Sequence, residues 1–93
     1  MYEIEYQPEA AAELQRIRAY DRVRILDEIA KHLAEAPLAM KGRRKKLDLG
    51  DGDFVYQLRV GEFRVFYDVD ENEGAVIVRH VRRKGRNTTG ETL

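Results

Sequence analysis

Three residue types that carry much of protein chemistry are absent from this sequence: cysteine, serine and tryptophan. Without cysteine, a disulfide framework, a thiolate metal site and a thiol nucleophile are excluded, and a reducing cytoplasm is the expected setting. Without serine, a serine-based catalytic triad is excluded. Glycine-rich phosphate loops and metal-ligand spacings are missing too, so we expect neither a cofactor nor a metal ion.

Long apolar runs are also missing. The opening segment MYEIEYQPEAAAEL has acidic and alternating polar residues where a signal peptide needs a basic start and an unbroken apolar run, and no segment has the length of a membrane helix. We therefore expect no membrane partner. The 93 residues, 43% hydrophobic and 37% charged, fit a single globular domain. We assign it to residues 1–86 and expect a flexible C-terminal tail at 87–93.

The formal net charge is zero, but the charges are unevenly distributed along the chain. Residues 1–40 contain eight acidic and five basic side chains, whereas residues 41–86 contain twelve basic and eight acidic ones. A neutral protein can still bind a polyanion if its basic groups lie together on one face. The charge pattern therefore directs attention to the second half of the chain.

Hydrophobic spacing divides the first half into one strand and two helices. Apolar and polar residues alternate from Tyr2 to Tyr6, which predicts a half-buried strand. Pro8 suits the first turn of a helix, and Asp21 is a candidate N-cap for a second one. Pro37 ends the second helical pattern.

The second half predicts a β-meander. A short strand is expected around residues 47–49, followed by strands at 54–60, 63–69 and 75–81 with turns at the intervening glycines. The predicted fold is α+β: an N-terminal strand, a two-helix hairpin and an antiparallel meander, with both helices packed on one face of the sheet. The other face is expected to be open.

Strand alternation places two arginines on that open face. If Phe54, Tyr56 and Leu58 face the helices, then Arg59 faces away, as does Arg64 on the next strand. Two guanidinium groups near an exposed aromatic ring form a reasonable platform for a phosphate and a base. An equally simple alternative is that both arginines pair with nearby carboxylates on a solvated surface.

Two basic runs flank these strands, one at residues 41–46 and the other at 79–86. Either could attract phosphates, or could be a solvated edge that discourages aggregation. His80 lies in the second run and is of the side-chain type that titrates near neutral pH, which suits general acid or base chemistry. Its face cannot be assigned from strand parity. His32, on the second helix, is interpreted as structural.

The segment LRVGEFRVFY, residues 58–67, carries a resemblance to a known family. It is similar to the pattern L-R-x-G-x-(aromatic)-R-(apolar)-x-Y of the RelE/ParE superfamily, the toxins of type II toxin-antitoxin systems. The order of the predicted elements also resembles that family over residues 2–86.

For the RNA-cleaving RelE branch, the resemblance implies that Arg64 and Arg83 hold the scissile phosphate. We add His80 as a candidate catalytic group. Candidate RNA-binding residues are Arg59, Lys45, Lys46, Arg82 and Lys84. The branch's lysines and C-terminal tyrosine align here with Val55, Gln57 and Thr89, so an alternative proton-transfer group would be needed.

The resemblance implies a toxin that arrests growth by cleaving mRNA, either free or on the ribosome, in the cytoplasm. It also implies a cognate antitoxin as partner. Because the usual lysines and tyrosine are replaced, two alternatives stay open. One is a non-enzymatic, ParE-like inhibitor of DNA gyrase, and the other is a degenerate toxin that retains only antitoxin binding.

Overall fold

The computed structural model describes residues 1–40, 42–50 and 53–84, with residues 53 and 54 described by their backbone alone. The tail expected at 87–93 lies outside the described residues. In chain order the elements are β1 (Glu3–Tyr6), α1 (Pro8–Gln15), α2 (Ala19–Leu33), β2 (Arg44–Gly50), β3 (Asp53–Val60), β4 (Phe63–Asp70) and β5 (Ala75–Arg83). No helix within these ranges is long and apolar enough to cross a membrane.

All five strands form one mixed sheet in the order β1-β5-β4-β3-β2. Strands β2 to β5 are an antiparallel meander, whereas β1 runs parallel to β5, with Glu3 opposite Ala75 and Tyr6 opposite Val78. The two helices therefore carry the chain from one edge of the sheet to the other. The predicted α+β class and element order are confirmed, and the parallel pairing of β1 with β5 is an addition to the prediction.

The helices begin and end where short-range chemistry allows. Pro8 opens α1, where its missing N–H has no intrahelical partner to lose. The N-cap of α2 is Arg18, so the prediction of Asp21 as N-cap is wrong. Asp21 lies instead in the first turn, where its negative charge interacts favourably with the positive end of the helix dipole. Its carboxylate accepts a hydrogen bond of 3.0 Å from Arg18 Nε.

The core lies between the helices and one face of the sheet. Ile25, Ile29 and Leu33 recur every four residues along α2 and form a continuous buried stripe. The remaining members of the core are Ala10, Leu14, Leu58, Val60, Phe63, Val65, Tyr67, Val76, Val78 and Val81. The alternation predicted for β3 and β4 is confirmed at residues 58–60 and 63–67. Gln57, expected on the open face, is buried with 5% exposure. The inward orientation expected for Phe54 falls outside the described side chains.

The first basic run lies within an edge strand. Strand β2 spans seven residues and is longer than the short strand predicted at 47–49, because its pairing with β3 begins at Arg44. The guanidinium of Arg44 faces the helices and donates hydrogen bonds to the carbonyl oxygens of His32, at 3.3 Å, and Ala36, at 2.5 Å. His32 lies in the last turn of α2 and Ala36 in the loop that follows, where the Ala36 carbonyl also accepts from the Ala39 N–H at 3.2 Å, so Arg44 ties the C-terminal end of the helix to that loop.

Candidate functional site

Three arginines form a row on the sheet face that the helices leave uncovered. Arg59 on β3 lies directly opposite Arg64 on β4, which in turn lies opposite Arg82 on β5. The residues that flank Arg59 and Arg64 along each strand are buried against the helices, so the two side chains point the other way. Adjacent strands are about 4.8 Å apart, which puts the three residues within reach of one or two phosphate groups.

Arg59 and Arg64 are not neutralised by neighbouring carboxylates. No ion pair within the described part of the chain involves Arg59 or Arg64, and the buried Nε of Arg64 has no hydrogen-bond partner. The carboxylates that could have paired with them are already engaged, Asp68 with Arg79 at 2.5 Å and Glu62 with Arg83. Arg59 and Arg64 therefore present positive charge that lacks an internal carboxylate partner among these residues, whereas Arg82 pairs with Glu13 at 3.3 Å.

A groove of about 610 Å³ lies beside this row. One wall is apolar and comes from β2, β3 and β4; the other is polar and comes from β4 and β5. The lining residues are Leu47, Leu49, Val55, Phe66, Asp68, Arg79, His80 and Arg82. Since Phe66 and Arg82 both line it, the groove offers an aromatic surface next to a guanidinium group, which suits a nucleobase and its phosphate.

A β-bulge decides which side chains of β5 face this groove. The pairing of β4 with β5 shifts between Phe66 and Tyr67, so that Phe66 pairs with His80 while Tyr67 pairs with Val78. Val78 and Val81 are consequently both buried although they are three residues apart. The shift turns His80 and Arg82 toward the open face. The face of His80, which strand parity could not assign, is therefore the open one.

The same shift separates Arg83 from the arginine row. Arg83 lies opposite Phe63, a core residue, and its guanidinium carbon stands 4.9 Å from the centre of that ring. It also forms an ion pair with Glu62 in the β3–β4 turn. Arg83 thus lies on the helix side of the sheet, whereas Arg64, its expected companion, lies on the open side.

The two lysines of β2 also face opposite ways. Lys45 pairs with Gln57 and lies on the open face, whereas Lys46 pairs with Tyr56 and lies toward the helix side. Lys84 follows the end of β5 with an exposed side chain, and its backbone N–H donates to the Glu62 carbonyl at 2.6 Å. Of the predicted catalytic residues, the structure places Arg64 and His80 on the open face, and of the predicted RNA-binding residues it places Arg59, Arg82 and Lys45 there.

Two parts of this site were not anticipated. One is the apolar wall formed by Leu47 and Leu49, of which Leu49 is 62% exposed. The other is Glu13 on α1, whose carboxylate contacts the backbone N–H of Val81 and the side chain of Arg82. Glu13 is separated from Val81 by 68 positions and from Arg82 by 69. No local sequence pattern predicts a contact at that separation.

Comparisons with known proteins agree with the observed fold. The toxin-antitoxin complex RelBE2 from Mycobacterium tuberculosis matches with a TM-score of 0.72 and 20% identity, over 88% of this chain and 96% of that one. The archaeal RelE-RelB complex from Pyrococcus horikoshii matches with a TM-score of 0.69 and 25% identity, over 91% and 97%. Isolated RelE from E. coli matches with a TM-score of 0.74 and 18% identity, over 92% and 87%.

Sequence comparison gives the family. No curated protein matches the chain significantly by sequence. The sequence model described as ParE toxin of the type II toxin-antitoxin system, however, matches residues 4–88, which is nearly the whole chain. Together with the mixed five-stranded sheet under a helical hairpin, this match shows that the chain belongs to the ParE toxin family of type II toxin-antitoxin systems.

Proposed function

We propose that this toxin binds single-stranded RNA across the open face of its sheet and cleaves it, with mRNA as the cellular substrate. The observation that carries the proposal is the pair Arg59 and Arg64, which face each other across two strands without an ion pair among the described residues. Guanidinium groups recognise phosphate oxygens through paired, charge-assisted hydrogen bonds. A cytoplasmic setting follows from this substrate.

The groove beside the arginines supplies the second element of RNA recognition. Phe66 stands between the arginine row and the apolar wall, so a base could stack on its ring while the adjoining phosphate lies on Arg64. Stacking of a base on an aromatic side chain contributes about 1–3 kcal/mol and tolerates any base. Single-stranded RNA fits this surface, because its bases are free to leave the backbone.

The cleavage step requires charge stabilisation and proton transfer. The ribose 2′-oxygen attacks phosphorus, its proton passes to water, and the bond from phosphorus to the 5′-oxygen breaks. Arg64 and Arg82 would stabilise the negative charge that builds on the phosphoryl oxygens. His80, a diagonal neighbour of Arg64 on β5, would donate a proton to the departing 5′-oxygen.

Arg82 takes, in this proposal, the position beside Arg64 that the family resemblance assigns to Arg83. Arg83 would contribute indirectly, because its pairing with Glu62 fixes the turn between the two strands that carry Arg59 and Arg64. Lys45 would add an outlying phosphate contact from β2.

A second candidate function is inhibition of DNA gyrase without cleavage. It is favoured by Val55 and Gln57, which stand on β3 where the RNA-cleaving relatives carry lysines by resemblance. Gln57 is only 5% exposed, so it offers little surface for proton transfer. In that case the arginine row would form a protein interface.

We also propose that a cognate antitoxin covers the open face. The relatives from M. tuberculosis and P. horikoshii were both solved as toxin-antitoxin complexes. An acidic antitoxin segment lying over Arg59 and Arg64 would neutralise them and bury the exposed Leu49. Purified antitoxin should then displace bound RNA, and simultaneous binding of both would contradict this placement.

The deciding experiment compares Arg64→Ala with Arg16→Ala, an equivalent charge change at an exposed residue on the helix side that forms no ion pair within the described residues. After induction in cells, the wild type and Arg16→Ala should arrest growth and produce new mRNA ends, whereas Arg64→Ala should do neither while keeping its melting temperature. Growth arrest that is accompanied by DNA damage, while mRNA stays intact, would favour the gyrase inhibitor. No arrest by the wild type would identify a degenerate toxin.

A further inference from the structure

Glu13 reaches from α1 to the edge of β5 at the point where β1 has ended. Strand β1 pairs with β5 only as far as Val78, so the backbone N–H of Val81 lies beyond the last strand neighbour on that side. Oε1 of Glu13 accepts a hydrogen bond of 2.8 Å from this N–H. A half-buried amide is thereby satisfied, and this contact alone would be a structural role.

The second carboxylate oxygen of Glu13 makes contacts that the fold does not require. Oε2 lies 3.3 Å from Nε of Arg82 and 3.5 Å from Nδ1 of His80. Arg82 in turn places Nη2 at 3.2 Å from the same Nδ1. These three residues form a closed triangle at the wall of the groove, and two of them belong to the proposed site.

We propose that Glu13 is a positioning residue that holds His80 and Arg82 in the orientation required for RNA cleavage. The inference rests on the proposed nuclease function. Because Nδ1 of His80 faces Glu13 and Arg82, Nε2 is the ring nitrogen left to meet a ligand in the groove. Because Nε and Nη2 of Arg82 face Glu13 and His80, Nη1 is the guanidinium nitrogen left to meet a phosphate.

The carboxylate also suits the proton-donating form of His80. Neutral His80 can accept a hydrogen bond from Arg82 at Nδ1, whereas protonated His80 has an N–H there, and Glu13 is then the available acceptor. After Nε2 has given its proton to the 5′-oxygen, the remaining proton stays on Nδ1 beside the carboxylate. Glu13 thus orients the ring, as a carboxylate does for a catalytic histidine in other enzymes.

The test is Glu13→Gln, because the glutamine carbonyl can still accept from the Val81 N–H while its amide replaces the charged oxygen. The control is Glu9→Gln, the same substitution at an exposed residue on the same helix. With a short single-stranded RNA as substrate, kcat of Glu13→Gln should fall about ten- to hundred-fold, which is less than the roughly 10²–10⁴-fold that a proton donor itself contributes, because His80 is still present. KM should stay the same or fall, since a negative charge beside the phosphates has been removed.

Nitrogen-15 NMR of the histidine rings supplies a readout that a purely structural role would not move. Glu13→Gln should shift the ring nitrogen signals of His80 and leave those of His32, which pairs with Glu28 at 3.0 Å on α2, unchanged. A matching loss of kcat, RNA affinity and melting temperature would overturn the inference, as would unchanged His80 signals. If the wild type cleaves no RNA, the proposed function fails, while the NMR signals still decide whether Glu13 holds His80.

Discussion

The hydroxyl group of Tyr67 donates a buried hydrogen bond of 2.7 Å to the main-chain carbonyl of Pro37, thirty residues earlier in the chain. Tyr67 lies at the centre of the sheet and is fully buried, and its ring stacks on Tyr56 with 5.5 Å between the ring centres. The contact ties the loop after α2 to the middle of the core. It therefore couples the helical hairpin to the meander.

Removing this hydroxyl should destabilise the protein. Tyr67→Phe leaves the Pro37 carbonyl buried without its partner, and we expect a loss of about 1–2 kcal/mol in the free energy of unfolding. Urea denaturation followed by circular dichroism measures it. Tyr20→Phe is the control, since Tyr20 is 75% exposed and should be unaffected. Equal stabilities for Tyr67→Phe and the wild type would mean that the hydrogen bond contributes nothing.

The same hydroxyl should give a pH-dependent stability at high pH. Burial raises the pKa of Tyr67 from 10.0 to about 12, although nearby Arg44 opposes the shift. A raised pKa means that the folded state favours the protonated form, so this contribution is complete below pH 10 and is lost as the pH rises toward 12. Burial also raises the pKa of Tyr6, so the Tyr67 part is the difference between the wild type and Tyr67→Phe. Parallel stability curves for the two proteins above pH 10 would contradict it.

Alanine substitutions at Arg44 and Lys45, which are neighbours on β2, should affect different properties: stability for Arg44 and RNA binding for Lys45. Arg44→Ala removes one hydrogen bond to the last turn of α2 and one to the loop after it, and should cost about 1–2 kcal/mol of stability with little change in RNA affinity. Lys45→Ala should leave stability unchanged and weaken RNA binding, because that side chain lies on the open face. Thermal melts and fluorescence anisotropy with labelled RNA measure the two effects. Equal effects of both substitutions on either property would rule out the alternation.

The salt dependence of RNA affinity should report how many phosphate contacts the arginine row makes. Each lost contact with a single strand should lower the slope of log affinity against log salt concentration by about 0.7. We expect this decrease for Arg59→Ala and for Arg64→Ala, and no decrease for Arg16→Ala. Anisotropy titrations at several salt concentrations provide the slopes. A slope that neither of the first two substitutions alters would place the RNA elsewhere.

The turn between β3 and β4 should depend on the backbone of Gly61 more than on the space around it. Gly61 has φ +59°, and an added Cβ would lie 2.9 Å from the guanidinium nitrogens of Arg24. That guanidinium is the end of a flexible side chain and can move. The left-handed backbone should therefore account for most of the cost of Gly61→Ala, about 1 kcal/mol. The cost should persist in an Arg24→Ala background, and its disappearance there would assign it to the steric contact instead.

Much of the fold could be predicted from the sequence because it rests on local periodicity. The alternation in residues 58–60 and 63–67 and the four-residue spacing of α2 each indicate which side chains are buried, although Gln57 is buried against the pattern. The open-face location of Arg59 and Arg64 followed from that alternation and is confirmed by their cross-strand pairing. The parallel pairing of β1 with β5 could not be predicted, since it depends on contacts between the two ends of the chain.

The incorrect and incomplete predictions have physical causes. Arg18 is the N-cap of α2 because the chain enters the helix three residues earlier than Asp21 suggests, and the Asp21 carboxylate then lies within the first turn. On β5, counting by twos from Val78 would place Arg83 outward with residues 79 and 81. The bulge adds one residue and exchanges Arg82 for Arg83 on the open face. Alternation in the sequence of β5 alone gives no signal of that extra residue.

The pairing of β1 with β5 has a consequence for the order of assembly during synthesis. Strand β1 is synthesised first but can pair only after β5 has been synthesised. Strand β5 also carries His80 and Arg82. Pairing of β5 thus completes both the sheet and the groove. A nascent chain that ends before residue 78 has neither the complete sheet nor the complete groove. Under the proposed function, a product truncated before His80 would lack the groove residues that RNA cleavage requires.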